Sequence, residues 1–252
     1  QSSEQLPAKP TEQIVKKQDF GKAYKTLHLP RFTTTQTGQL ITHSGYTVSY
    51  SKQHKIAHWV GYELTRQETQ GKGKRTDRFV ADPFVKGCVT HTSDYTNSGY
   101  DRGHLAPAAD MKWSADAMKE SFYLSNISPQ HPNLNRGRWK ELEEKVRHWA
   151  VSDSAVVVVC GPLIGSSKTT IGKNRITVPQ GFFKVVLSPF VATPQAIGFV
   201  FKNESATQPL QTYIVSVDSI EKLTGLDFFH TLPDSLEEAV EAKVNKRYWG
   251  FK

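Results

Sequence analysis

In the stretch SGYDRGHLAPAADM (98–111), an acid, a guanidinium, a glycine and an imidazole stand side by side with no helical periodicity. A neutral imidazole, here His104, is the side chain best suited to accept a proton near neutral pH. Arg102 lies two residues away, and alternate residues of an extended strand share a face. A cation so placed disfavours protonation and would keep a general base neutral. Gly103, between the two, allows close approach to the backbone. The same residues also suit a hydrogen-bonded structural histidine beside an Asp101–Arg102 pair, so the chemistry depends on what other segments add.

The segment YLSNISPQHPNLNRGRWKELE (123–143) is the candidate partner. It passes from an apolar start through a loop rich in Pro and Asn into a helix at Asn135. Hard divalent cations such as Mg²⁺ accept an amide oxygen, keep several waters and complete their shell with substrate phosphates. A single neutral ligand at Asn135 would leave such a cation free to bind a phosphodiester. Glu143 follows eight residues later, roughly 80° away in azimuth on an α-helix, so both side chains can look into one groove. Asn135 is equally placed to cap the helix, and Glu143 to pair with Arg147 at i,i+4.

The elements that must position these groups are legible around them. Trp139, Leu142, Val146 and Trp149 recur at helical period, which predicts a helix over 136–150. YTVSYS (46–51) and IAHWVGYEL (56–64) carry the alternation of half-buried strands. SAVVVVCGPL (154–163) reads as a central buried strand, GFFKVVLSPF (181–190) and AIGFVFKNE (196–204) as an antiparallel pair, and TYIVSV (212–217) as a further strand. Asp218 is the expected N-cap and Gly225 the C-cap of a short helix, and 234–244 forms another helix. The basic stretch 65–79 is a loop. No repeat or linker divides the chain, so the expectation is a polar N-terminal arm over 1–25 and one α+β domain over 26–252, built on a mainly antiparallel sheet flanked by helices.

Taken together, YDRGHLAPAADM, YLSNISPQ and NRGRWKELE closely resemble the sugar-nonspecific DNA/RNA endonucleases of the ββα-metal class. The likeness runs from about residue 45 to 230 and takes in VVCGPL and VSVDSIEKLTGLDFF. The resemblance implies His104 as general base, Asn135 as ligand of Mg²⁺ (with Mn²⁺ able to substitute), and Glu143 as the carboxylate that arranges water at the cation. It implies Arg102 as a support of the transition state or of the site's geometry, with Asp101 and Asn126 as supporting residues. The family's upstream arginine falls on Arg75 or Arg78, with Arg75 preferred. The implied reaction is hydrolysis of phosphodiester bonds in DNA and RNA, leaving 5′-phosphate ends.

Charge agrees with that substrate class. Lysine and arginine total 32 against 24 acids, a net +8, and an excess of that size favours a polyanionic partner. Lys72, Lys74, Arg78, Arg136, Arg138 and Lys140 are the candidate phosphate contacts, giving affinity without sequence readout. The same charge would serve a non-catalytic nucleic-acid-binding protein, the rival reading. No apolar run is long enough to span a bilayer. The non-Met start QSSEQLPAKP suggests a processed N-terminus and a periplasmic or secreted protein. In that setting Cys88 and Cys160 are expected to pair as a disulfide, with two independent reduced thiols the close alternative. The oligomeric state, monomer or homodimer, stays open.

Overall fold

The computed structural model describes residues 23–87 and 89–252, and its strands follow the β-branched runs of the sequence. The first elements are β1 (Arg31–Phe32), β2 (Gln39–Thr42), β3 (Thr47–Ser51) and β4 (Ile56–Thr65). Then come β5 (Asp101–His104), α1 (Ala115–Glu120), β6 (Ile127–Gln130), α2 (Pro132–Leu134) and α3 (Lys140–Ser152). The next stretch adds β7 (Ala155–Leu163), β8 (Thr170–Ile171), β9 (Ile176–Thr177), β10 (Gly181–Ser188) and β11 (Gln195–Lys202). The last elements are β12 (Ile214–Val215), α4 (Val217–Thr224), β13 (Leu226–Asp227) and α5 (Asp234–Ala242).

Seven strands make one antiparallel sheet in the order β12-β11-β10-β7-β4-β3-β2. The expected α+β class and mainly antiparallel sheet are therefore present. Alternation divides the side chains between two layers. Val156, Val158 and Cys160 of β7 face the layer of Trp139, Leu142, Val146 and Trp149. Val157 and Val159 face the opposite layer, with Val217, Ile220 and Val240 from α4 and α5. Burying each of the larger apolar side chains contributes about 1.5–3 kcal/mol, which fixes α3 on one face of the sheet and α4 with α5 on the other.

The β5–β6 hairpin lies on the α3 side and is tied down at its His104 end. The Cys160 thiol, fully buried, donates to the Leu105 carbonyl at 3.2 Å, and the Trp139 indole donates to the His104 carbonyl at 3.3 Å. Cys160 is a free thiol, so the disulfide expected for it is not made. Cys88, its expected partner, falls outside the described residues, as do residues 1–22 of the expected arm; residues 23–26 form a 3-10 turn. No helix among the described residues is long and apolar enough to cross a membrane.

Two boundaries differ from expectation for physical reasons. The strand expected over 212–217 shrinks to Ile214–Val215, because Leu210–Tyr213 is a 3-10 turn and the Ser216 hydroxyl, rather than Asp218, caps α4 by accepting from Ser219 N. The helix expected over 136–150 opens instead with a π-turn at Asn135–Trp139, where Gly137 leaves helical geometry (φ −108°, ψ −110°). The α-helix proper begins only at Lys140.

Candidate active site

His104 ends β5, opposite Ile127 of β6. Its ring is flanked by Phe122 at 4.9 Å, edge-on, and by Phe79 at 5.5 Å. The chain holds Phe79 there by hydrogen bonds on either side of Val80, from Val80 N to Phe122 O and from Leu124 N to Val80 O. The imidazole Nε2 is sealed from solvent and has no hydrogen-bond partner. Burial, then the Arg75 guanidinium, hold His104 well below the usual imidazole range, at about 3. The ring is therefore neutral across the working pH range. The cation that acts on it is Arg75, not the Arg102 expected from strand alternation.

Arg102 points elsewhere. Its Nη2 donates to the Thr92 carbonyl at 2.7 Å, and its guanidinium lies over the rings of Phe79 and Tyr95. It braces the turn at 92–96 against β5. Gly103 is bare because the Gln130 side chain lies across it; a Cβ there would meet Gln130 Cβ at 2.7 Å.

Asn135 is not the N-cap expected of it; it is the C-cap residue of α2. Its backbone is itself helical, and its Nδ2 donates to Asp101 Oδ2 at 2.8 Å. An ionised carboxylate only accepts, so this bond turns the amide nitrogen toward Asp101 and leaves Oδ1 free to serve another group. Arg136 completes the brace with two bonds to the same carboxylate, at 2.7 and 2.8 Å. Burial works to raise the Asp101 pKa, but the bonds from Arg136 and Asn135 outweigh it and hold the carboxyl below its ordinary value. Asp101 thus anchors the π-turn to the strand that carries His104. No cluster of three His, Cys or carboxylate groups stands here among the described residues, so the donor set is one amide oxygen. That matches a hard cation taking most of its shell from water and phosphate.

Glu143 joins the same site through Arg75. Burial pushes its carboxyl up to about 7, against the pull of Lys184, Arg147 and Arg75 and with the push of Asp110. Arg75 thus acts on both the imidazole and the carboxylate while resting over the Phe122 ring at 5.0 Å and pairing with Asp77. Arg78 instead lines a shallow pocket with Val80, Lys119 and Tyr123. Arg147 does not form the expected i,i+4 pair with Glu143. It reaches Asp110 at 2.9 Å, a fully buried carboxylate that also accepts from Tyr62 at 2.8 Å.

Asn126 is fully buried and fully used, accepting from Ala106 N at 2.9 Å and donating to the Ala106 and Ser121 carbonyls at 2.8 Å. It fixes the chain just beyond His104. Lys72, Lys74, Arg78 and Lys140 are exposed and make no ion pair among the described residues. Arg136 is committed to Asp101, and Arg138 to Glu141 and the Gln208 carbonyl, so these two are braces before they are phosphate contacts. Sequence reasoning missed Asp110 and Lys184, and gave Arg147 a different partner. Lys184 carried a signal, a lone cation inside GFFKVVLS: alternation with Phe182 and Val186 turns it toward α3, where its Nζ lies 4.4 Å over the Trp139 ring.

Residues 24–235 match a family described as DNA/RNA non-specific endonuclease. A nuclease of Syncephalastrum racemosum is 36% identical over 220 residues, covering 78% of this chain and 69% of its own. Human mitochondrial endonuclease G is 35% identical over 231 residues, covering 86% of this chain and 77% of its own. A crystal structure of the EndoG/EndoGI complex superposes with a TM-score of 0.74 at 29% identity, covering 79% of this chain and 89% of that one.

Proposed function

The chain belongs to the family of DNA/RNA non-specific endonucleases, hydrolases acting on nucleic acids, and from that premise we propose a Mg²⁺-dependent cut of the phosphodiester bond with His104 as general base. His104 is neutral, with Nε2 sealed from solvent, and takes a proton through its other ring nitrogen from a water as that water's oxygen bonds to phosphorus. The bond from phosphorus to the 3′ oxygen breaks, the departing oxygen takes a proton from solvent, and the new end carries a 5′-phosphate. A hard divalent cation, Mg²⁺ or Mn²⁺, fits at Asn135 Oδ1 and supplies positive charge to the phosphate and the leaving oxygen when bound.

Glu143 holds water on the α3 side of the same gap. Arg75 contributes positive charge where negative charge grows. Lys72, Lys74, Arg78 and Lys140 hold the backbone of either nucleic acid through its phosphates, without reading bases. No 2′-hydroxyl takes part, so DNA and RNA are both substrates.

The observation that carries this reading is the strand Asp101–His104, which bears the neutral imidazole at one end and, at the other, a carboxylate that leaves the Asn135 amide oxygen free. The test is digestion of plasmid and of RNA in Mg²⁺ and in EDTA, with the product ends identified. Cleavage of both in Mg²⁺ alone, with 5′-phosphate ends, is expected. Binding without cleavage in every metal would replace the proposal with a nucleic-acid-binding role.

A further inference from the structure

On the face of the sheet away from His104 and α3, α4 and α5 bring three carboxylates together. Asp218 and Glu221 lie one turn apart on α4, and Glu241 comes from the last turn of α5. One oxygen from each lies within 4.8 Å of the other two. Glu241 is only 6% exposed, and its Oε1 is sealed from solvent with no hydrogen-bond partner. Among the described residues no lysine or arginine forms an ion pair with any of the three; the neighbouring Arg31 is spent on Asp227 at 2.7 Å.

A buried carboxylate among carboxylates is costly unless something neutralises it. A proton shared between two acids would appear as a carboxyl–carboxylate hydrogen bond. Glu241 makes no such bond; burial, then the charges of Glu221, Glu237, Asp218 and Asp227, push its carboxyl up to about 9, so without a cation it carries a proton that a bound cation would displace. Glu221 offers only one free oxygen, since Oε1 accepts from Phe228 N at 2.8 Å. What the cluster presents is a set of unshared carboxylate oxygens converging from two helices. Two oxygens on one Ca²⁺ lie no more than about 5 Å apart, twice the usual Ca–O distance, and the observed span fits.

We propose that Asp218, Glu221 and Glu241 form a second divalent-cation site, remote from the cleft, that takes Ca²⁺ and clamps α5 onto α4. An all-carboxylate set suits a hard cation. Ca²⁺ accepts irregular shells of six to eight oxygens, whereas Mg²⁺ demands a near-octahedral one. The clamp secures the edge of the layer that contains Val217, Ile220 and Val240 and has no part in the cut itself.

The test uses full-length protein carrying Asn135→Ala, so that the cleft's own ligand is gone, and measures Ca²⁺ binding by calorimetry together with melting temperature. One Ca²⁺ per chain is expected in Asn135→Ala and none in the Asn135→Ala/Glu241→Gln double variant. Saturating Ca²⁺ should raise the Tm by about 5 °C or more in the wild type and in Asn135→Ala, and not in Glu241→Gln. In EDTA, Glu241→Gln should melt at or above the wild type, and its Mg²⁺-dependent cleavage should equal that of the wild type. If that variant failed to fold, Asp218→Asn replaces it, with at least tenfold weaker Ca²⁺ binding expected. An Asn135→Ala protein that binds no Ca²⁺, or a Glu241→Gln protein that keeps the full Tm shift, overturns the site and leaves the nuclease reading untouched.

Discussion

Carboxylates with raised pKa values occur on both faces of the central sheet, and the two faces treat them differently. Under the cleft, Glu143 feels three cations (Lys184, Arg147 and Arg75) against one acid, Asp110. Across the sheet, the charges that act on Glu241 are all carboxylates. The first arrangement is complete in protein groups alone and can hold a poised acid next to a reacting phosphate. The second is neutralised only by a proton or a cation from outside. A protein interior makes unpaired charge expensive, so the contrast separates a site that acts from a site that binds.

The comparison can be broken most forcefully at Asp110. Arg147→Ala strips its ion pair and leaves a carboxylate in the core, costing about 3–5 kcal/mol in a urea titration; a loss under 1 kcal/mol would mean that the charges under the cleft are not coupled. Tyr62→Phe removes one hydrogen bond to the same carboxylate and should cost about 1.5–3 kcal/mol by the same measurement. Lys184→Met takes away the first of the cations acting on Glu143, so the acid limb of the rate–pH profile should move to higher pH, with about a tenfold loss of rate for each unit below it. An unmoved profile would remove Lys184 from the site.

His104 gives a pH test with a definite sign. Its folded pKa, about 3, lies below the ordinary imidazole value of 6.5. The neutral ring therefore contributes stability that is present above 6.5 and is lost as pH falls from there through 3. In EDTA, the Tm of wild type should decline more steeply over that window than the Tm of His104→Ala; parallel curves would contradict a desolvated imidazole.

Much of this arrangement was legible in the chain. The β-branched runs of β4, β7, β10 and β11 fixed the sheet because their alternation or apolar continuity has few other uses. The stripe Trp139, Leu142, Val146 and Trp149 is buried as its period required. What stayed hidden was not periodic. The π-turn at Asn135 depends on Gly137 and on Asp101, 34 residues earlier, and no local pattern announces it. Arg147 chose Asp110 over Glu143 because tertiary contact brought it a fully buried acid, against an i,i+4 neighbour that offers a small gain. Arg75 and Arg78 share one basic loop, so only their surroundings in space distinguish them.

The account stands on the division of labour between His104 and Asn135. The direct measurement is the initial rate of plasmid cleavage over a Mg²⁺ series for wild type, His104→Ala and Asn135→Ala, each shown by circular dichroism to be folded. His104→Ala should lose about 10²–10⁴-fold at every Mg²⁺ concentration, and Asn135→Ala should be slower and need more Mg²⁺ for half its rate. A His104→Ala enzyme within a few-fold of wild type, or an Asn135→Ala enzyme with an unshifted Mg²⁺ curve, would contradict it.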